Sequence, residues 1–372
     1  MTTRTLNIDT PSGPVDCRVA IPEDGTGPGL VVVAGTPAVC AELAEEGYVV
    51  LAPDLSEGAA ADGSIFEAAR ALRALPEQKG RVAAIGFGWG GALACREAER
   101  SDLAAIVAYD FDGKPAEAAA ASCPLALHLV GQAASDAGAF RGALAEHDDA
   151  RVFAYADVAP GFVDPGHAAH DRRIADIAHT RTLDLLRPLI GPHYDFVTLF
   201  AEHAHHEFET RDVDATMATM VAEPYVNHVA TLTGGVGHDM LKRFYKYHFV
   251  MQNSEERDST PISYTVGGNR VVIEQVIRFR HDHVIDRMYP GIEPTGKTVE
   301  LPLILCVKFR GRRVWHEHIY WDQASALAQI GLIDTGALPV AGAEQADKLL
   351  DETLPSNELM ADSWKTSEGK PL

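Results

Sequence analysis

Short apolar runs alternate with alanine-rich segments through the first half of the chain. Six runs are apolar almost throughout, and they lie at residues 30–34, 48–52, 82–85, 104–109, 125–130 and 152–155. Alanine-rich segments that favour helix lie between them, for example at residues 65–75, 92–100 and 139–146. Continuous apolar strands that alternate with helices are typical of a parallel sheet covered by helices on both faces. We therefore predict a doubly wound α/β domain over residues 1–190.

The pattern changes after residues 188–192 (PLIGP), which we interpret as a linker. Helical segments are predicted at 194–210, 213–221 and 238–249, an extended segment at 225–232, and long strands at 271–281, 301–309 and 314–320. Helices followed by long strands predict an α+β domain with a curved antiparallel sheet over residues 194–332. Residues 333–372 are polar, and we expect them to form a C-terminal arm.

Composition limits the classes of partner and the compartment. The 372 residues exceed a usual single domain, and the net charge of −21 divides into −12 for residues 1–190 and −9 for the rest. Nucleic acid and anionic membrane both require a basic face, so we expect neither as a partner. The chain contains no long apolar run or signal-like start, and its five cysteines form no C-x-x-C. We expect a cytoplasmic protein with reduced thiols.

Three segments of the first half carry a family resemblance. Residues 81–85 lead into 86–91 (GFGWGG) and then into a helical stretch, which is the layout of a nucleophile elbow. With residues 126–132 (ALHLVGQ) and 155–162 (YADVAPGF), this half resembles the dienelactone hydrolase family of α/β-hydrolases. The resemblance implies a nucleophile at Gly88, an Asp at Ala133 and a His at Pro160. Because none of these three residues can perform its role, we expect the fold without its usual activity.

The second half carries a weaker resemblance. Residues 225–228 (YVNH) and 317–323 (EHIYWDQ) resemble the SnoaL-like branch of the nuclear transport factor 2 superfamily. The resemblance implies a cone whose sheet wraps a deep pocket. In cyclases of this branch, a His/Asp pair moves protons at a carbon next to a carbonyl group.

The last predicted strand offers such a pair. Side chains alternate with a period of two, which divides this strand into one face with His316, His318, Tyr320 and Asp322 and another with Trp315, Glu317, Ile319 and Trp321. We predict that the first face lines the pocket, with His318 and Asp322 as its general acid–base pair. Two alternatives remain, a buried pair that only fixes the strand end and a metal site on the same face.

Five polar residues are candidates for substrate binding. They are Tyr225, His228, Tyr320, Glu274 and Arg278. Tyr225 and His228 are an odd number of positions apart, so at most one faces inward on a regular strand. Tyr320 or His228 would polarise the substrate carbonyl.

No metal or cofactor is predicted. The His- and Glu-rich helix at 194–210 contains ligand-like pairs but no indicated third ligand, and we interpret it as a solvated face. The glycines of residues 86–91 lack the dinucleotide-binding G-x-G-x-x-G spacing.

The leading functional hypothesis is an enzyme whose active site lies in the cone. It would act on a small carbonyl compound by general acid–base chemistry, with cyclisation, isomerisation or water addition as the outcome and no covalent nucleophile. One alternative is a hydrolase of an ester or lactone that uses Asp136 or His128, and another is a non-catalytic ligand-binding protein. An outer patch of Trp315, Ile319 and Trp321 would favour a homodimer.

Overall fold

The computed structural model describes residues 1–58, 61–336 and 338–371, and it contains two compact units, Met1–Tyr194 and Asp195–Leu372. The boundary lies just beyond the predicted linker. Within the described ranges, every helix is too short or too polar to cross a membrane.

The first unit is built on an eight-stranded sheet. Its strands are β1 (Thr2–Thr10), β2 (Gly13–Ile21), β3 (Gly27–Val33), β4 (Val49–Pro53), β5 (Gln78–Phe87), β6 (Ile106–Tyr109), β7 (Leu125–Val130) and β8 (Ala150–Tyr155). Their order is β1-β2-β4-β3-β5-β6-β7-β8, and β3 to β8 pair in parallel. The predicted α/β-hydrolase-like architecture is therefore confirmed. The antiparallel hairpin of β1 and β2 adds an edge that the apolar pattern did not indicate.

Helices cover both faces of this sheet. They are α1 (Pro37–Glu45), α2 (Ser64–Arg73), α3 (Trp89–Glu97), α4 (Pro115–Ala118), α5 (Gly131–Ser135), α6 (Ala137–Ala143) and α7 (Arg172–Ile190). Consecutive residues of β3 are buried on opposite faces of the sheet. Val31 packs with α2 and α3 on one face, and Leu30 packs with α1 and α7 on the other. Burial on both faces explains why the strands are apolar at every position.

The second unit contains a six-stranded sheet. Its strands are β9 (Met220–His228), β10 (Thr233–Val236), β11 (Arg257–Gly267), β12 (Arg270–Arg280), β13 (Thr298–Arg310) and β14 (Arg313–Tyr320). The order is β10-β9-β14-β13-β12-β11, antiparallel except where β14 pairs with β9. This sheet confirms the predicted α+β cone. The edge strand β11 was missed, and none of its residues is buried.

Helices of the second unit lie before, within and after the run of strands. They are α8 (Phe196–Phe208), α9 (Val213–Ala218), α10 (His238–Phe244), α11 (Gln323–Gln329), α12 (Glu344–Leu350) and α13 (Ala361–Lys365). A π-helical turn, Tyr245–Phe249, extends α10. The predicted C-terminal arm contains α12, which contacts β13 and buries Ala346, and beyond it residues 351–371 are exposed.

Candidate functional site

A cavity of about 460 Å³ lies between helix α8 and the sheet of the second unit. Most of its wall is apolar, and these residues include Phe200, Phe208, Val226, Phe249, Ile273, Ile277, Leu303, Leu305, Ile319 and Trp321. Polar and charged side chains also line it, among them Glu209, Arg257, Asp258 and Gln275. A concave, mostly apolar cavity of this size is typical of a site for a small molecule.

Four polar side chains form a buried cluster at this wall. His203 and Glu207 are one helical turn apart on α8, so they share a face, and Glu317 is buried on the central strand β14. His203 Nε2 lies 3.2 Å from Oε1 of Glu207 and 3.2 Å from Oε1 of Glu317. The hydroxyl of Tyr245 donates to Oε1 of Glu317 over 3.4 Å. Glu207, Glu317 and Tyr245 line the cavity.

The other ring nitrogen of His203 is held by a threonine. Nδ1 lies 2.6 Å from Oγ1 of Thr219, and that hydroxyl donates its own proton to the carbonyl of Thr216 over 2.6 Å. Thr219 therefore accepts a hydrogen bond from Nδ1–H. With Nδ1 protonated, the charge state of His203 depends on Nε2, which faces the two carboxylates.

Burial and charge set the protonation states of this cluster. Burial opposes a charge on His203, but the carboxylates of Glu207 and Glu317 outweigh burial and raise its pKa from 6.5 to about 10. Burial raises the pKa of Glu317, although protonated His203 opposes the shift. Burial, with Glu317 beside it, also holds the pKa of Tyr245 well above 10. The cavity wall thus carries a carboxylate of raised basicity beside a permanently protonated phenol.

His228 and Arg287 also line the cavity. Burial and then Arg287 lower the pKa of His228 to about 3, so this imidazole is neutral. Its Nδ1 lies 3.3 Å from the carbonyl of Thr233, which assigns the ring proton to Nδ1 and leaves Nε2 as an acceptor. Burial lowers the pKa of Arg287 to about 10, so its guanidinium is still charged at neutral pH.

The predicted catalytic pair does not form. Asp322 lies beyond the end of β14, where it caps α11: its side chain accepts from the Ala324 N–H and from the Ser325 hydroxyl. His318 is half-buried on the face opposite Glu317, beside the ring of Tyr225. The residues that line the cavity from this strand and just beyond it are Glu317, Ile319 and Trp321. His318 and Asp322 were therefore assigned to the wrong face: the residues next to them in the chain face the cavity.

The five predicted substrate-binding residues separate in the structure. His228 lines the cavity. Tyr225, an odd number of positions before it on β9, packs against His316 and His318 outside the cavity. Tyr320 is exposed. Glu274 accepts a hydrogen bond from Ser263 on the outer face, and Arg278 reaches only the rim, where it pairs with Glu300 at 2.8 Å.

Two interpretations of exposed surfaces are also corrected. The helix at 194–210 was interpreted as solvated, yet His203 and Glu207 are among its buried residues. Ile319 and Trp321 were placed on an outer patch, yet they line the cavity. The homodimer stays a prediction, and of the three patch residues only Trp315 lies outside the cavity lining.

The elbow of the first unit keeps its shape without a nucleophile. Gly88 follows β5 and begins α3 with φ 53° and ψ −123°, and a Cβ there would lie no closer than 3.6 Å to its nearest neighbour, Asp112. Ala133 lies within α5, and Pro160 lies on an exposed loop.

The two groups considered for unconventional hydrolysis do not form a site. His128 is fully buried, where its ring contacts the hydroxyls of Tyr155 and Thr182. Burial and then Arg181 lower its pKa to about 3. Asp136 is an exposed residue whose carboxylate accepts from Gln132.

The cluster at the cavity also has the composition of a cation site. One ligand atom from each of His203, Glu207 and Glu317 lies within 4.8 Å of the other two. Because the two carboxylates raise the pKa of His203 to about 10, a cation bound by all three residues would have to displace the His203 proton.

Family models match both halves of the chain. Residues 61–190 match the dienelactone hydrolase family, and residues 201–317 match the SnoaL-like domain. The first half resembles dienelactone hydrolases, and the second half resembles SnoaL-like domains. These matches support a hydrolase or an isomerase/cyclase family for the chain.

Solved structures resemble each half separately. A dienelactone hydrolase-like promiscuous phosphotriesterase from metagenomic libraries is 21% identical, with 51% of this chain and 100% of that chain covered and a TM-score of 0.43. A putative dienelactone hydrolase from Klebsiella pneumoniae is 19% identical, with 50% and 97% covered and a TM-score of 0.41. An NTF2-like protein from Burkholderia pseudomallei is 18% identical, with 37% and 99% covered and a TM-score of 0.29. None of the curated proteins matches significantly.

Proposed function

We propose that the SnoaL-like unit is an acid–base enzyme that acts on a small, largely apolar carbonyl compound. The observation that carries the proposal is Glu317, a carboxylate of raised pKa at the wall of an apolar cavity. A general base is most effective when its pKa lies near the working pH, and burial shifts a glutamate in that direction.

Glu317 would take a proton from a carbon next to the substrate carbonyl. Tyr245 remains protonated and donates to Glu317, so its O–H would turn from Glu317 to the enolate oxygen once Glu317 has taken the substrate proton. Return of the proton to another carbon of the enolate gives isomerisation. Attack of the enolate carbon on a second carbonyl carbon of the same molecule gives cyclisation, and the proton on Glu317 passes to the new alkoxide. For a substrate with a double bond next to the carbonyl, Glu317 would instead take a proton from water, hydroxide would add to the β-carbon, and the proton would pass to the α-carbon.

His203 and Glu207 would be positioning residues. His203 contacts both carboxylates and keeps them close together, and its own ring is fixed by Thr219. His228 cannot polarise a carbonyl, because its single ring proton is directed to Thr233. Its role would be to accept a hydrogen bond from a substrate hydroxyl or a water molecule.

Proton exchange with solvent tests this proposal without knowledge of the natural substrate. Small cyclic and acyclic ketones and 1,3-dicarbonyl compounds are incubated with the protein in D₂O, and loss of the proton signal next to the carbonyl is followed by NMR. The protein should accelerate exchange for members of this panel. Glu317→Gln, which keeps the side-chain shape, should slow the catalysed exchange by about 10²–10⁴-fold.

Two matched variants control this experiment. Glu274→Gln removes a carboxylate from the outer face of a neighbouring strand, and His318→Ala removes the imidazole first predicted to be catalytic. Both should retain the rate of the unaltered protein. Full activity of Glu317→Gln with an unchanged circular dichroism spectrum would contradict the proposal. Absence of exchange across the panel would favour a protein that only binds its ligand.

A further inference from the structure

Arg287 is fixed at the wall of the cavity by its backbone. It lies on the segment between β12 and β13, where its carbonyl accepts hydrogen bonds from the hydroxyls of Thr231 (2.6 Å) and Thr233 (3.2 Å). Its guanidinium carbon lies 4.6 Å from the centre of the Phe249 ring, which also lines the cavity. The charged group is therefore held beside an aromatic wall.

The guanidinium of Arg287 differs from those of the other two arginines at the cavity. Arg257 pairs with Glu209 at 2.6 Å, and Arg278 pairs with Glu300 at 2.8 Å. Over the described part of the chain, the guanidinium of Arg287 has no hydrogen-bond or ion-pair partner, and its Nη1 atom is buried. A buried polar atom without a partner is costly, and a water molecule, an ion or a ligand that completes its contacts accounts for such an atom.

The nearby acidic groups do not fill this role. Glu207 attracts Arg287 electrostatically, but its carboxylate is in contact with His203. His228 also provides no negative charge, because burial and then the charge of Arg287 keep its imidazole neutral. An anion from outside the chain would complete the contacts of the guanidinium.

We propose that Arg287 binds the carboxylate of the substrate, which makes the substrate a small apolar carboxylic acid that also carries a carbonyl group. This inference rests on the proposed function, because it names the substrate class of the same cavity. A planar guanidinium matches a carboxylate with two parallel hydrogen bonds. A phosphate dianion would need more than one free cation in this apolar wall, and the unit's net charge of −9 opposes polyanions.

Charge also orients such a substrate. Its carboxylate is attracted by Arg287 and repelled by the carboxylates of Glu207 and Glu317. With the carboxylate bound to Arg287, the substrate presents to Glu317 a carbon away from the carboxylate. The cavity would thus discriminate an acid from its neutral analogue in both binding and orientation.

Calorimetric titration with matched probes tests the assignment. The probes are arylalkanoates, from phenylacetate to 4-phenylbutyrate, and the corresponding primary amides, which have nearly the same shape without the charge. At pH 7 the protein should bind at least one carboxylate about 10-fold or more tightly than its amide, as expected for a charge-assisted hydrogen bond. Arg287→Met should abolish this preference.

Control variants separate this proposal from the proposed function. Arg280→Met removes an exposed arginine with the same change of net charge, and it should keep the preference for carboxylates. Glu317→Gln should also keep it while losing proton exchange. Equal binding of acid and amide, binding of neither, or a preference that survives in folded Arg287→Met would overturn the assignment to Arg287. Loss of exchange alone would not.

Discussion

His203 should make the stability of the second unit depend on pH. Its pKa is about 10 in the folded protein and about 6.5 in an unfolded chain. The folded state therefore binds more protons between these values. The stabilisation is complete below pH 6.5 and is lost as the pH rises through 10. We expect the free energy of unfolding to fall over this window by an amount on the order of a few kcal/mol.

Urea unfolding at a series of pH values measures this effect. Tryptophan fluorescence reports mainly on the second unit, which contains three of the four tryptophans. His203→Gln should lack the decline between pH 7.5 and 10, and His205→Gln, which alters an exposed residue of the same helix, should retain it. An identical pH dependence in all three proteins would show that His203 does not hold a proton between Glu207 and Glu317.

Individual residues of the site were only partly predictable. Helical spacing unites Phe196, Phe200, His203 and Glu207 on one face, and the two aromatic residues mark that face as buried. This signal was present in the sequence and was missed. The contact of Glu317 with His203 could not be inferred from the sequence. Glu317 is more than 100 positions away, and the contact depends on how the sheet packs against α8.

Strand β14 shows what periodicity does and does not determine. A period of two tells which residues share a face, but not which face is inside. The face with Glu317, Ile319 and Trp321 is the more apolar one, which favours burial and was the available clue. Trp315 departs from that face, because the pairing with β13 shifts by one residue at this position. Such an irregularity is not visible in the sequence.

Asp322 should stabilise helix α11 without affecting catalysis. Its carboxylate accepts hydrogen bonds at the first turn, so Asp322→Ala should destabilise the second unit by about 0.5–2 kcal/mol. Asp322→Asn retains a capping oxygen and should lose less. Thermal unfolding and the proton-exchange assay measure the two effects separately. A large loss of rate without loss of stability would restore Asp322 as a catalytic candidate.

The architecture of the whole chain was more predictable than its chemistry. Alternation of apolar runs with helices determines a sheet buried on both faces, since few other folds bury every residue of a strand. The strands that were missed, β1, β2, β10 and β11, lie at or next to a sheet edge and contain exposed residues, so the apolar signal is weak there. The chemistry depends instead on contacts between distant segments, which the apolar pattern does not contain.

Activity should belong to the second unit even when a nucleophile is supplied to the first. The elbow has room for a side chain at Gly88, so Gly88→Cys should fold, with a cost of about 1–3 kcal/mol for a positive φ. The new thiol would lie near the carboxylate of Asp112, which disfavours the thiolate.

His167, which acts electrostatically on Asp110 at the end of β6, accepts the Ala169 N–H at Nδ1. This ring nitrogen is therefore already occupied by a backbone N–H and is not a free base for the new thiol. We expect no burst of p-nitrophenol from p-nitrophenyl acetate and an unchanged rate of proton exchange. A burst of one equivalent per chain would show that the first unit still contains a working base.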